Sequence, residues 1–228
     1  MSITGAGSGI GAAVARALAG RRRLVLAGRR LAPLRRLSAE LGGEERALAV
    51  ARDVTEWEQV ERTVGTALGR YGRLDGVLAN AGFGVEPGFL EDTPERWRSL
   101  VLTNLFGVAI TIRAVLPQLL ERGAGDVLIT TSTAARRALP GSLYSATKSA
   151  ATALAESLRL ELRQIHVNDS IRVTVIAPGR VQTPFREKPT AKATLAAEDV
   201  AAALGFALGQ RPGVEIGEIL IRPTGQPL

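Results

Sequence analysis

Tyr144 and Lys148 stand four residues apart in Tyr144-Ser145-Ala146-Thr147-Lys148, at the head of an Ala-rich stretch of helical period. Four residues along a helix bring two side chains onto one face, so a phenol and an ammonium meet there. A free phenol, with a pKa of about 10, is a poor proton donor or acceptor at neutral pH. A neighbouring cation stabilises the phenolate and lowers that value, each unit being worth about 1.4 kcal/mol. The pair is therefore suited to general acid–base work. Lys148 is also the only lysine before position 188 in an Arg-rich chain, which argues against a casual surface role. The spacing alone is a common accident and needs a second motif beside it.

That second motif is Thr4-Gly5-Ala6-Gly7-Ser8-Gly9-Ile10-Gly11, placed where a first strand hands over to a first helix. Glycines there permit a tight turn and let backbone N–H groups approach a pyrophosphate at a helix N-terminus. Ile10 occupies the position where G-x-G-x-x-G, counted from Gly5, requires Gly or Ala; the form that fits is T-G-x-x-x-G-x-G. Some twenty residues on, the second candidate strand ends Ala27-Gly28-Arg29-Arg30. An NAD-binding unit places an acid there against the ribose 2′-hydroxyl, whereas an NADP-binding unit uses Arg. Gly28 holds the acidic position, so nothing repels a 2′-phosphate, and Arg29, with Arg30 beside it, offers a charge-assisted contact. NADP(H) is thus expected ahead of NAD(H); two solvated loop arginines are the plain alternative.

With these motifs the chain resembles the short-chain dehydrogenase/reductase family. The resemblance implies a Rossmann-type, doubly wound α/β fold with a mostly parallel seven-stranded sheet in the order 3-2-1-4-5-6-7. It also implies an oxidoreductase that interconverts a ketone or aldehyde and an alcohol by hydride transfer. In that scheme Tyr144 is the general acid, and Lys148 tunes its pKa and binds the nicotinamide ribose. The family's carbonyl-orienting serine, thirteen residues before the tyrosine, falls on Thr131, with Ser132 at twelve. Ser132 is favoured, because Ile129-Thr130-Thr131-Ser132 is similar to the family's strand end and one deletion in the following loop accounts for the offset; a merely capping hydroxyl is the alternative. Asn104 corresponds to the residue with which the family breaks a long helix and holds a water in a proton relay. As an ordinary helix residue it would be a mild misfit, since its amide competes for backbone bonds.

The resemblance extends to the rest of the cofactor site. Gly5, Gly7, Ser8, Gly9, Ile10 and Gly11 form the phosphate turn. Asp53 and Val54 match the adenine contact after the third strand. Ala79-Asn80-Ala81-Gly82 is similar to N-N-A-G with the first Asn replaced by Ala, leaving Asn80, Ala81 and Gly82 as the wall beside the cofactor. Pro178, Gly179, Val181 and Thr183 match the segment that covers the nicotinamide carboxamide. A small carbonyl or alcohol substrate and a homodimer or homotetramer are implied as partners.

The elements that must position these residues are legible as an alternation of short aliphatic runs and longer amphipathic stretches, the signature of repeated βα units. Strands are predicted over 2–4, 24–28, 47–51, 76–79, 126–131, 172–177 and 218–221. Helices are predicted over 9–19, 32–41, 56–71, 94–120 with a break, 143–163 and 197–208. Thr55 with Glu58, and Thr93 before Pro94, read as helix starts, the first with the acidic third residue of a capping box. Trp57 and Trp97 fall in helix patterns as packing residues, and His166 in an exposed polar loop. Without repeats or linkers, the 228 residues are expected to form one domain.

Composition narrows the function classes. Hydrophobic residues make up 46% and charged ones 22%, which excludes disordered and collagenous types. No cysteine and a single histidine leave no disulfide, thiolate nucleophile or zinc set, and no metal is expected. No apolar run of bilayer-spanning length stands out and no signal-peptide layout opens the chain, so a cytoplasmic protein with no membrane partner is expected. The net charge of +7 raises nucleic acid as a partner, but the arginines are dispersed and aromatics are only 4%, so none is expected. A salt-dependent nucleic-acid binder and a catalytically inactive, dinucleotide-binding regulatory protein on the same fold remain the rival readings.

Two departures from the family pattern carry expectations. Only three residues precede Thr4, so the first strand should be short and forfeit ladder bonds. About a dozen residues separate Thr183 from the helix that starts near Ala196, where the family has a longer substrate-covering stretch, so the site is expected to be open, to suit a bulky substrate or to borrow a wall from another subunit; within them 183–192, with Pro184, Pro189 and mixed charges, reads as a mobile loop. Substrate specificity should lie there and in the loops over 83–90 and 134–143.

Overall fold

A computed structural model describes residues 1–185 and 193–226. The chain runs β1 (Ser2–Thr4), α1 (Gly9–Leu18), β2 (Leu24–Gly28), α2 (Leu31–Glu40), β3 (Ala47–Ala51), α3 (Trp57–Tyr71), β4 (Gly76–Ala79), α4 (Pro94–Val101), α5 (Gly107–Arg122), β5 (Gly125–Thr130), α6 (Leu143–Gln164), β6 (Ile171–Pro178), α7 (Ala197–Leu208) and β7 (Glu218–Ile221). The strands form one seven-stranded sheet in the order β3-β2-β1-β4-β5-β6-β7, with every neighbouring pair parallel. This is the doubly wound, Rossmann-like topology that the family resemblance implies, and its parallel strands follow the βα alternation of the sequence.

Parallel strands covered on both faces must be apolar on both faces, and successive residues point to opposite sides. Leu24 and Leu26 of β2, Leu78 of β4, Leu128 of β5 and Ile176 of β6 join one core layer with Val14 and Leu18 of α1 and Val200 and Leu204 of α7. Their alternates, Val25, Val77, Val127, Ile129, Val173 and Val175, join the other with residues of α3, α5 and α6. Each fully buried aliphatic side chain contributes roughly 1.5–3 kcal/mol, so the layers fix the register of every strand. β1 has three residues, yet Ile3 is fully buried and pairs with Leu26 on one side and Leu78 on the other. The short strand keeps its central place.

Helices α4 and α5 form one helical run whose middle, Leu102–Phe106, is a π-turn. The sequence predicts a break in this stretch, and the extra residue per turn places Asn104 at its centre. The run Pro94–Arg122 is long and apolar enough to cross a membrane by length and composition, which corrects the expectation that no such stretch exists. Its apolarity serves the core: Val108, Ile112, Val115 and Leu119 lie in the second layer.

Thr93 accepts a bond from the Arg96 N–H at 3.3 Å and caps α4 as predicted. The capping box at Thr55 does not form. The Thr55 hydroxyl and N–H both donate to Asp53 Oδ1 at 2.9 Å, and α3 starts at Trp57, one residue later than predicted. A local turn across three residues thus outcompetes the cap. Trp57 packs under the Arg113 guanidinium at 5.6 Å and Trp97 against Phe89 at 5.7 Å, both as packing residues. His166 is exposed and meets Glu161 at 3.2 Å. Of the expected loop over 183–192, residues 186–192 lie outside the described residues.

Candidate active site

The carboxyl ends of β1, β4, β5 and β6 converge on a cleft of about 850 Å³. Open α/β sheets place ligands there, where the chain crosses from one side of the sheet to the other.

At one end β1 turns into α1. Gly5 and Gly9 adopt φ of +65° and +54°, a conformation that side chains disfavour. A Cβ on Gly5 would sit 3.0 Å from the Ala81 Cα, and one on Gly9 3.1 Å from the Thr183 side chain, so both glycines keep the cradle clear. Gly11 has another reason to be glycine: its Cβ would fall 2.4 Å from the Gly5 carbonyl oxygen. Helix and turn touch backbone to backbone there. Ser8 precedes α1 in extended backbone without a side-chain cap, and the first N–H groups of the helix have no acceptor within it. The turn can therefore receive an anion.

The turn is tied to the sheet by Thr4. Its hydroxyl oxygen accepts from the N–H groups of Asn80 and Ala81, both at 2.8 Å, and its carbonyl accepts from Asn80 Nδ2 at 3.1 Å. Asn80 Oδ1 in turn accepts from the Thr130 hydroxyl at 3.2 Å. One network thus joins the ends of β1, β4 and β5. Thr4 and Asn80 are its polar anchors, and Ala79 beside them contributes no polar side chain.

At the other end Ser132, Tyr144 and Lys148 line the cleft together. Ser142 caps α6, accepting from the Ser145 N–H at 3.2 Å, which sets Tyr144 and Lys148 on the first two turns. The Lys148 ammonium lies 5.8 Å from the centre of the Tyr144 ring and donates to the Thr130 carbonyl at 2.9 Å. Phe185 meets the Tyr144 ring edge-on at 5.9 Å. Ser132 accepts from the Ala134 N–H at 3.1 Å, capping the short helix Thr133–Ala135 and leaving its own O–H as a donor. Thr131 also borders the cleft, but its hydroxyl donates to the Ile176 carbonyl at 3.2 Å. Of the two candidates left open by the sequence, Thr131 is the one committed to β6.

Asn104 is fully buried behind this cluster. Its amide donates to the Phe83 carbonyl at 2.9 Å and to Thr147 Oγ1 at 3.4 Å, and its Oδ1 accepts from the Phe83 N–H at 3.0 Å. A Cβ on Gly82 would meet Asn104 Oδ1 at 3.0 Å and Lys148 Nζ at 3.5 Å, so Gly82 lets both side chains reach the same spot. Arg29, Arg30, Ile10, Pro178, Gly179, Val181 and Thr183 border the cleft. Gly7, Gly11, Asp53 and Val54 are outside its lining. The Asp53 carboxylate holds the Thr55 turn, and Val54 packs against Gly107. The motifs did not point to Thr130, Arg96, Arg137 or Gln226, all of which border the cleft.

Burial lowers the Lys148 pKa from 10.5 to about 8. Between these values the unfolded chain holds a proton that the folded one has released, so stability of the nucleotide-free protein rises with pH across that window. The full effect is about 3 kcal/mol. Replacing Lys148 with Met removes this penalty and forfeits a hydrogen bond worth about 1 kcal/mol. The variant is therefore expected to melt higher at pH 7, by on the order of 5 °C, with the gap closing as pH approaches 10.5. Thermal denaturation at pH 7 and 10 checks this, and a lower melting point at pH 7 would contradict it.

The chain matches the family model described as short chain dehydrogenase over residues 1–194. It belongs to the short-chain dehydrogenase family. An uncharacterized oxidoreductase of Listeria monocytogenes is 33% identical over 99% of the chain and 96% of its own length. An alcohol dehydrogenase of the archaeon Thermococcus sibiricus, solved with 5-hydroxy-NADP, superposes with a TM-score of 0.89 at 33% identity, covering 100% of this chain and 97% of that one. A 3-ketoacyl-(acyl-carrier-protein) reductase of Brucella melitensis, solved with NADH, gives 0.83 at 31% identity over 96% and 95%. This short-chain dehydrogenase is thus an oxidoreductase whose structural neighbours bind NADP or NAD nucleotides.

Proposed function

We propose that the protein is an NADPH-dependent carbonyl reductase, running reversibly as an alcohol dehydrogenase, with the whole chain acting as one nucleotide-binding and catalytic unit. The observation that supports this most is the cleft itself: Ser132, Tyr144 and Lys148 stand at one end, and the cleared turn of Gly5, Ser8 and Gly9 at the other. A dinucleotide fits that turn because Gly5 and Gly9 keep side chains out of the cradle and the first N–H groups of α1 face it. Bound there, NADPH supplies the hydride that reduces the carbonyl carbon.

The protein's own work is to hold the carbonyl and move a proton. The Ser132 O–H donates to the carbonyl oxygen, and the Tyr144 phenol protonates that oxygen as it gains charge. Lys148 remains protonated at neutral pH despite its lowered pKa, and its charge beside the ring stabilises the phenolate left behind. Asn104, by holding the Phe83 backbone behind Lys148, keeps the path for reprotonation in place. Asp53 and Val54 flank the adenine end.

NADP is favoured over NAD by Arg29 and Arg30, which border the cleft after β2 with no carboxylate among its described lining residues. Calorimetric titration with NADPH and NADH tests this. NADPH is expected to bind more tightly, and Arg29→Ala to reduce that preference by about 10- to 100-fold, the worth of a charge-assisted contact. Equal affinities in the parent protein, or a preference unchanged in the variant, would overturn the assignment. Assembly as a homodimer or homotetramer is supported by the exposed small residues Ala146, Ser149, Ala153 and Ser157 on one face of α6, which permit close helix packing. A cytoplasmic setting completes the reading.

A further inference from the structure

The charges of the cleft are one-sided. Among its described lining residues Arg29, Arg30, Arg96, Arg137, Arg180 and Lys148 are cationic, and none is Asp or Glu, although the chain carries 22 acidic residues. A concave site lined by one sign of charge concentrates ligands of the other. The proposed dinucleotide accounts for part of this, through Arg29 and Arg30 beyond β2 and Lys148 beneath the phenol.

The remaining arginines sit elsewhere. Arg137 follows β5, and three inter-strand spacings, about 14 Å, separate β5 from β2 in the sheet. An anion held at Arg29 is therefore not the anion that Arg137 meets. Arg180 is engaged, its Nε donating to the Ala193 carbonyl at 3.2 Å, and Arg96 pairs with Asp92 at 3.0 Å. The Arg137 guanidinium has no hydrogen bond or ion pair among the described residues. Its backbone is anchored by a bond from its N–H to the Thr133 carbonyl at 3.1 Å, on the segment that runs from Ser132 to Tyr144. Phe83, Leu139 and Phe185 are the large apolar side chains of the same lining, Phe185 against the phenol ring itself. The reacting end of the cleft, open to solvent at Leu139 and Phe185, thus carries one exposed arginine with an anchored backbone and no protein partner for its guanidinium among the described residues, with Arg96 also on the wall.

We propose that the substrate carries an oxyanion group, a carboxylate or phosphate, which the Arg137 guanidinium binds while the carbonyl lies at Ser132 and Tyr144. This rests on the carbonyl-reductase reading and names its substrate class: oxo acids or oxo phosphates rather than neutral ketones. The planar guanidinium matches either group with two parallel hydrogen bonds.

The experiment is steady-state reduction by NADPH of oxocarboxylates whose carbonyl lies at successive distances from the carboxyl, each beside its methyl ester, with the matching oxo phosphates as a further arm. At low salt one anionic compound is expected to exceed its neutral partner in kcat/KM by about tenfold or more, the gap shrinking as salt screens the charge. The arm that shows the gap identifies carboxylate or phosphate. In Arg137→Gln the anion-to-ester ratio is expected to fall to about one, through KM. Esters reduced as well as the anions at every chain length would overturn the inference while leaving the carbonyl-reductase reading intact. So would a preference that survives both Arg137→Gln and the Arg96→Gln/Arg137→Gln double variant. If NADPH binds but neither esters nor anions are reduced, the carbonyl-reductase reading falls, and this inference with it.

Discussion

Tyr144→Phe is expected to lower kcat for carbonyl reduction by about 10²- to 10⁴-fold, the usual worth of a positioned general acid. The change removes one oxygen and keeps the ring. The edge-on contact with Phe185 at 5.9 Å and the Lys148 ammonium 5.8 Å from the ring centre both survive it. The fold and NADPH affinity should therefore be retained, so the loss belongs to proton transfer. Stopped-flow or steady-state assays beside calorimetry separate the two. A variant that keeps most of its turnover would remove Tyr144 from the mechanism.

Gly11→Ala is expected to weaken NADPH binding by about 100-fold or more and to lower the melting temperature. The added methyl would lie 2.4 Å from the Gly5 carbonyl oxygen and 3.0 Å from the Ala6 Cα, distances no side-chain rotation can relieve. Helix and turn must separate, which costs roughly 1–3 kcal/mol of stability. The separation also misaligns the N–H groups that face the pyrophosphate; two charge-assisted bonds at about 1.5 kcal/mol each account for the affinity. Gly7→Ala should lose far less, because its methyl would meet Pro33 Cβ at 3.4 Å, an ordinary contact. Similar losses in the two variants would show that glycine flexibility, not backbone approach, shapes the turn.

Much of the fold was legible because its signals are periodic and local. Aliphatic residues recur on both faces of β2, β4, β5 and β6 as two-faced burial demands, and the glycine turn and the Tyr144–Lys148 spacing each lie within eight consecutive residues. Asn104 stood out as a misfit in an apolar helix, and the structure places it in the π-turn Leu102–Phe106. Where two local options competed, the sequence was a poor judge. Thr55 carries a capping-box pattern, yet its hydroxyl turns back to Asp53, and Thr131 and Ser132 differ by one position, yet only Thr131 is bound to the β6 carbonyl of Ile176.

The sequence by itself determined the α/β class and the residues of the turn and the Tyr-Lys pair, because each is written in spacing along the chain, while the strand order was implied by the family resemblance. Tertiary structure alone decided what those residues touch. The Lys148 ammonium ends on the Thr130 carbonyl, a backbone group with no side-chain signature, and the cleft gathers Arg29, Arg96, Arg137 and Arg180 from four separate segments with no acid among the described lining residues. Burial, and with it the lowered pKa of Lys148 and the one-sided charge of the site, depends on elements brought together from distant parts of the chain, and no local pattern encodes that.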